Sequence, residues 1–258
     1  MTAPAPGSLS TFTSGSLVAE LERRQDIAPG IVELEFVMRT PERLEFKGGQ
    51  FVSILVDPPP QPPADPTLPA PKLKRSYSIA SPASTGERLR FIVRVIPEGS
   101  ASEFLVTLPI GRQVRMTGPH GYFVLDATHP GDVVFGATGT GISAVMAMLP
   151  ELAQMPSTGR RTVYWGVRHA HDLFALAEIE ELCRQAGCAL KLYLTSPPAG
   201  WTGQTGRITP AIVADQPTMN APTFYLVGNG AMITQLKAEL VERGVNRKKQ
   251  IRTEVFFD

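Results

Sequence analysis

Val133-Val134-Phe135-Gly136-Ala137-Thr138-Gly139-Thr140-Gly141-Ile142-Ser143-Ala144 is the stretch that decides the fold. Val133–Phe135 is a short apolar run of strand formers, and a glycine-punctuated turn follows it. The apolar segment Ile142–Leu149, ended by Pro150, then predicts a helix. Strand, glycine turn and helix start in this order make a diphosphate cradle, because the helix start offers N–H groups with no partner inside the helix. The spacing of Gly136, Gly139 and Gly141 is not the Gly-x-Gly-x-x-Gly of ordinary dinucleotide dehydrogenases.

Towards the C-terminus, strand-like and helix-like segments alternate. Strands are predicted at Thr162–Val167, Leu190–Thr195, Phe224–Val227 and Ile251–Phe256. Helices are predicted at Asp172–Ala186, Thr209–Asp215 and Ala231–Arg243. This alternation predicts a parallel sheet with helices on both faces. Towards the N-terminus the character changes near residue 126. Ile31–Met38, Phe51–Val56, Ser76–Ala80, Leu89–Ile96 and Gln113–Thr117 are short β-rich runs separated by turn residues, which predicts a small antiparallel barrel or sandwich. Two domains are expected, 1–126 and 127–258, and residues 1–16 read as a disordered tail. Residues 57–72 hold eight prolines, too many for a central strand, and fit a surface insertion or a flap.

Composition excludes several classes. Lys+Arg number 25 against 24 Asp+Glu, and a formal charge of +1 argues against a general nucleic-acid binder. Cys183 and Cys188 are too few for a disulfide framework or an iron–sulfur cluster, and His120, His129, His169 and His171 show no metal-binding pattern. No basic, apolar leader opens the chain, and glycines and Pro150 interrupt the longest apolar stretch, so a cytoplasmic protein with no membrane span is expected. A monomer without metal is expected too.

Five motifs carry chemistry. Arg75-Ser76-Tyr77-Ser78 puts Arg75 and Tyr77 on one side of a strand and Ser76 and Ser78 on the other. An arginine can neutralise a phosphate, a tyrosine can stack on a planar ring, and a serine can donate to ring heteroatoms. Glu98-Gly99-Ser100-Ala101-Ser102 places a glycine before a helix starting near Ser102, which fits either an anion site or a plain helix cap. The glycine turn Gly136–Gly141 is the third. The fourth is Tyr164-Trp165-Gly166-Val167-Arg168-His169 with Asp172-Leu173, where an arginine at the end of the second strand suits a 2′-phosphate. Arg207 offers a second charge, although Arg168 also fits a solvated strand end. The fifth is Val227-Gly228-Asn229-Gly230-Ala231-Met232, and the chain ends Glu254-Val255-Phe256-Phe257-Asp258.

Taken together and in this order, these motifs resemble the ferredoxin–NADP(+) reductase superfamily, in its bacterial-type ferredoxin/flavodoxin NAD(P)H reductase form. The likeness runs from about residue 15 to the end. Arg-x-Tyr-Ser is similar to its flavin motif, Gly99–Ser102 to its Gly-x-x-Ser loop, and Gly118–Phe123 to its interdomain turn. Gly139-Thr140-Gly141 is similar to its dinucleotide turn, with Ser143-Ala144 where the family has Ala-Pro. Val227 stands for a cysteine of the family's late glycine turn, Ser196-Pro197 for a further arginine of NADPH-using relatives, and Phe256 or Phe257 for a terminal tyrosine that covers the flavin.

The resemblance implies an antiparallel Greek-key flavin-binding barrel followed by a dinucleotide-binding α/β domain. It implies an FAD-dependent oxidoreductase that moves hydride between NADPH and flavin N5 and single electrons to or from a ferredoxin or flavodoxin. Arg75, Tyr77, Ser78, Gly99, Ala101, Ser102, Phe256 and Phe257 would hold FAD. Gly136, Thr138, Gly139, Thr140, Gly141, Arg168, Arg207, Gly228 and Met232 would hold NADP. Ser78 and Glu254 would serve catalysis. An acidic partner would dock on Lys72, Lys74, Arg88 and Arg90 or on Arg247, Lys248 and Lys249. The other readings are an NADH-dependent reductase component of an oxygenase system and a non-catalytic dinucleotide-binding sensor.

Overall fold

The computed structural model describes residues 17–56, 73–96, 100–128, 131–156 and 159–257. Within them the chain builds two six-stranded sheets, one antiparallel and one parallel. The Pro-rich stretch 57–72 and the tail 1–16 lie outside the described residues.

The first sheet contains β1 (Leu17–Ala28), β2 (Ile31–Thr40), β3 (Phe51–Val56), β4 (Leu73–Ser78), β5 (Arg88–Arg94) and β6 (Gln113–His120), in the order β4-β3-β6-β1-β2-β5. Its edge strands converge just past β4, where Ala80 N–H donates to the Arg90 carbonyl at 2.8 Å, closing the sheet towards a barrel. Leu21, Leu34, Phe36, Ile54, Leu89, Phe91 and Met116 fill the interior. β1 is absent from the sequence-based expectation. Its second half, Glu20-Leu21-Glu22-Arg23-Arg24-Gln25-Asp26, reads as a charge run, yet the charges pair across strands on the outer face. Arg23 bonds Glu33 at 2.5 Å and Glu35 at 2.6 Å on β2, and Arg88 on β5 bonds Glu22 at 2.9 Å. Leu17, Ala19 and Leu21 meanwhile point inward. A short helix, α1 (Ser100–Thr107), follows β5.

The second sheet contains β7 (Val133–Thr138), β8 (Arg161–Val167), β9 (Cys188–Leu194), β10 (Gln204–Thr205), β11 (Thr223–Asn229) and β12 (Ile251–Phe257), in the order β10-β9-β8-β7-β11-β12. Helices α2 (Ile142–Gln154), α3 (Leu176–Gln185), α4 (Ile208–Asp215), α5 (Gly230–Glu242) and α6 (Arg247–Gln250) complete it. Alternation along β7 explains the two layers. Phe135 and Ala137 face the α2–α3 core, while Val134 faces the α4–α5 core. None of these helices is long and apolar enough to cross a membrane.

Two expected helices differ. α2 runs through Pro150 to Gln154, losing one hydrogen bond where the proline lacks an N–H. The expected helix at Asp172 starts instead at Leu176, because Asp172 closes a 3-10 turn at Ala170–Asp172 by accepting from His169 N–H at 2.9 Å. Cys183 is buried in α3, and Cys188 opens β9. Burial pushes their thiols up to about 11 and about 12, so neither is an active nucleophile.

The α2–α3 core continues into the barrel, taking in Ile31, Ala80, Ile92 and Phe123. Arg90 on β5 reinforces this contact with a two-pronged pair to Glu178 on α3, at 3.0 and 2.6 Å. Gly48 N–H donates to Glu151 on α2 at 2.5 Å, and a side chain at Gly48 would run into the Ala147 carbonyl. The two sheets are thereby held face to edge with the C-terminal ends of β7, β11 and β12 towards the barrel.

Candidate functional site

Arg75, Tyr77 and Ser78 lie on β4, at the sheet edge nearest the second domain. Arg75 is exposed, with its guanidinium on the Lys74 carbonyl at 3.0 Å. Tyr77 packs its ring partly against the barrel core, and burial pushes its phenol up to about 12, so it stays neutral. Ser76 Oγ pairs with Ser53 Oγ at 3.1 Å, which ties β4 to β3. Ser78 is different. Its hydroxyl donates to Glu254 Oε1 on β12, 176 residues away and on the other sheet.

Glu254 sits between the two sheets, half-buried. Burial raises its carboxyl to about 7, and the bond from Ser78 pulls in the opposite direction. Its other oxygen lies near Gly121, whose missing side chain leaves room for the Phe51 ring. Gln50 Nε2 anchors the Gly121 carbonyl at 3.3 Å. A serine that donates to a carboxyl titrating near neutrality can pass a proton between Glu254 Oε1 and a group lying over Ser78 Oγ.

Arg252 and Glu254 share one face of β12, and Phe256 falls at a register irregularity between Val255, paired with Gly228, and Phe257, paired with Asn229. The Phe256 ring packs against the core that runs between the sheets. The side chain of Phe257 and all of Asp258 are outside the described residues, as are Gly99 and the side chain of Ala101. Ser102 is the first residue of this motif whose side chain is described, and its hydroxyl is already engaged. It accepts from Ile96 N–H at 3.1 Å and donates to the Ile96 carbonyl at 3.3 Å. The residue therefore locks α1 to the end of β5, and direct contact from this hydroxyl to a ligand is not required to explain it.

On the parallel sheet, β7 leads into a 3-10 turn at Gly139–Gly141 and then into α2. No side chain caps this start. Trp165 Nε1 holds the Gly139 carbonyl at 3.0 Å, and Thr138 Oγ1 accepts from Asn229 N–H at 2.9 Å. Thr138 thus joins the first glycine turn to the second. Thr140 is buried, and a side chain at Gly141 would press on the Val227 carbonyl. Gly228 is the tightest point. With φ at +121° and the Thr138 carbonyl 2.7 Å from where a Cβ would sit, it admits no other residue without strain. Gly228→Ala is expected to lower stability by about 3 kcal/mol and to abolish dinucleotide binding, read by calorimetric melting and by titration. A variant melting with wild type would refute this tight packing.

Two residues expected to hold NADP are placed as follows. Gly136 is buried within β7, and Leu226 and Ile212 fill the room a side chain would need, at 3.0 and 3.1 Å, so core packing accounts for this glycine. Met232 packs on the α4–α5 core, and its N–H is taken at 3.0 Å by Asn229, the cap of α5. Asn229 and Trp165 escaped the motif reading. The Asn-Gly-Ala start of α5 is the cap signal that marks the first.

Arg168 is exposed at the end of β8, and its carbonyl accepts from Ser196 N–H at 2.8 Å. Arg207 is exposed at the cap position of α4, one residue past Gly206, whose N–H reaches the Leu194 carbonyl at 2.9 Å. The two arginines therefore stand at the same C-terminal edge, at the ends of β8 and β10 with β9 between them.

The basic docking residues divide. Lys74 is exposed beside Arg75. Arg88 is paired with Glu22, and Arg90 is withdrawn, only 16% exposed between Glu178 and Glu33. Arg247, Lys248 and Lys249 are exposed but lie before Ile251 at the foot of β12. Ile251 pairs with Phe224, whereas Glu254 pairs with Val227 nearer the head. Lys72 is outside the described residues.

Comparison with known proteins follows these divisions. The Oxidoreductase FAD-binding domain family model matches residues 18–125, and the Oxidoreductase NAD-binding domain model matches 135–238. Ferredoxin–NADP reductase B of Sorangium cellulosum is 28% identical over 239 residues, 89% of this chain and 93% of that protein. The propane 2-monooxygenase reductase component of Rhodococcus jostii is 27% identical over 92% of this chain, which spans only 61% of that relative. Among solved structures, a cytochrome P450 reductase of Amycolatopsis superposes with a TM-score of 0.80 at 27% identity, covering 94% of this chain and 70% of that one.

Proposed function

The chain belongs to the ferredoxin–NADP(+) reductase superfamily as an FAD- and NAD(P)-binding oxidoreductase, and from that premise we propose that it prefers NADPH and exchanges electrons with a separate ferredoxin or flavodoxin. The observation that carries the reading is the meeting of Ser78 and Glu254. A strand of the barrel and the last strand of the α/β half supply one hydroxyl–carboxyl pair, on the strands that also carry Arg75, Tyr77 and Phe256. Residues 1–126 form the flavin-binding half in this reading and 127–258 the dinucleotide-binding half.

The residues present fit FAD. An exposed Arg75 and a half-buried Tyr77 share one side of β4, as a phosphate and a planar ring would need, and a carboxyl with its pKa near 7 stands at the strand's end. When bound, FAD links the two-electron chemistry of a nicotinamide to the one-electron chemistry of an iron–sulfur or flavin protein. The uncapped turn Gly139-Thr140-Gly141 receives the dinucleotide diphosphate, Gly228 keeps the opposing backbone close, and Arg168 and Arg207 read the 2′-phosphate. Ser78 and Glu254 manage the proton, and Phe256 closes the face away from Tyr77. Positioning supplies much of the rate.

Purified protein is expected to be yellow, to release FAD on denaturation, and to turn over NADPH faster than NADH with ferredoxin as acceptor. Arg168→Ala is expected to weaken NADPH about tenfold, near 1.4 kcal/mol, and to leave NADH almost unchanged. Colourless protein that takes up no added FAD overturns the reading. The likeness to an oxygenase reductase over 92% of the chain supports one second reading, an NADH-dependent reductase component. Equal losses for both dinucleotides in Arg168→Ala would favour it.

A further inference from the structure

Beyond Arg168, β8 runs out into His169-Ala170-His171-Asp172, and two side chains there are built into position. The imidazoles of His169 and His171 stack with centroids 4.9 Å apart and planes 16° apart. His169 is fixed from two sides. Its Nδ1 lies 3.3 Å from the Ser196 carbonyl at the exit of β9, and its backbone N–H is held by Asp172 Oδ2. His171 rests on that fixed ring with its own side chain 64% exposed and its Nε2 3.9 Å from Asp172 Oδ1. An exposed imidazole held in place by a second ring gives up rotamer freedom for no gain in burial, which a structural role does not explain.

The surroundings indicate what the ring meets. Ser196 N–H bonds the Arg168 carbonyl, so the stack stands over the same pair of strand ends that carries Arg168. Arg207 comes from the next strand along, and Ile208 beside it fills the space 3.0 Å from where Gly166 would carry a side chain. That contact packs the start of α4, where Arg207 is the cap residue, against β8. Two guanidiniums at the ends of β8 and β10, on either side of β9, suit an anion with several acceptor oxygens. Ser196, the residue closest in sequence to this edge on β9, contributes backbone only, and the His169–His171 stack occupies its flank.

We propose that His171, propped by His169, is the third donor to the 2′-phosphate of the bound dinucleotide, with Arg168 and Arg207, and that it sets the preference for the phosphorylated cofactor. The proposal rests on the dinucleotide reading of this edge. It assigns a specificity-determining residue that the glycine and arginine motifs leave out.

The test uses the FAD-containing protein and two fragments, 2′-phospho-AMP and 5′-AMP, titrated calorimetrically. Wild type is expected to bind 2′-phospho-AMP more tightly. His171→Ala and His171→Phe are both expected to weaken 2′-phospho-AMP about tenfold with 5′-AMP little changed, because the phenyl ring keeps the stack but has no donor. The side chain is exposed, so both variants are expected to melt with wild type. Retention of the 2′-phosphate preference in both variants overturns the proposal while leaving NADPH use intact. Equal losses for the two fragments also overturn it, since His171 would then serve the adenosine. A wild type that does not distinguish the fragments fails the underlying NADPH reading instead.

Discussion

Replacing Glu254 by glutamine is expected to lower turnover about 100-fold, the scale of a lost proton-transfer group, with FAD still bound. Glutamine can accept the hydroxyl of Ser78 as the carboxylate does, but it cannot hold or release a proton at Oε1. Wild-type Glu254 can do both near neutrality, because burial lifts its carboxyl to about 7. Ser78→Ala removes the bond that favours the ionised form, so the carboxyl rises further and the pH profile of turnover moves upward. The same shift links to stability. Between the ordinary 4.5 and about 7 the folded chain holds a proton that the unfolded chain has released, so this group's contribution falls as pH rises through that window. Glu254→Gln removes the dependence. Its melting temperature is therefore expected to gain on wild type from pH 5 to pH 8. A variant with full turnover and a parallel melting profile would show that Glu254 is merely a strand residue.

Much of this architecture was legible locally. The turn Gly136–Gly141, the strand expected at Ser76–Ala80 and found at Leu73–Ser78, and the helix expected from Ala231 and found from Gly230 each announce themselves within a few residues, because backbone conformation and alternation are short-range properties. What stayed hidden depended on partners far along the chain. The charge run in β1 reads as loop until Glu33, Glu35 and Arg88 are brought beside it. Nothing near Gly136 in the sequence announces that Leu226 and Ile212 pack against it, or near Ser102 that the Ile96 backbone engages its hydroxyl. The motifs also name Ser78 and Glu254 separately, and only the packing of the two sheets makes them one group. Arg90 shows the reverse, since a basic residue on an outer strand reads as a docking charge. The fold turns it into the pin between barrel and α3, with its Nε buried and unpartnered.

Ending the chain at Val255 is expected to tighten dinucleotide binding. The register of β12 makes the experiment clean. Ile251 to Val255 remain paired with Phe224 to Gly228, so the strand and Glu254 stay in place, and only the residues around the terminal irregularity are lost. Phe256 packs on the core between the sheets, and in the proposed reading its ring holds the place a nicotinamide would take to approach Ser78. Ring and nicotinamide then compete for one surface, and the free energy of displacing the ring is subtracted from dinucleotide binding. Removing it is expected to tighten NADP(+) and NAD(+) at least about tenfold, for a ring contact near 1.5 kcal/mol. The gain should be larger for NAD(+), because a nicotinamide that binds well alone depends less on the 2′-phosphate, so the preference for NADPH shrinks. Turnover is expected to fall as product leaves more slowly. Phe256→Ser should reproduce the truncation and Phe257→Ser should not, since it is the Phe256 ring that packs on that core. If Phe257→Ser carries the effect instead, the irregularity opposite Gly228 and Asn229 turns the chain by one residue, and the second ring is the cover. If affinity and preference stay at wild-type values in all three variants, the terminus is an edge strand and the competition does not exist.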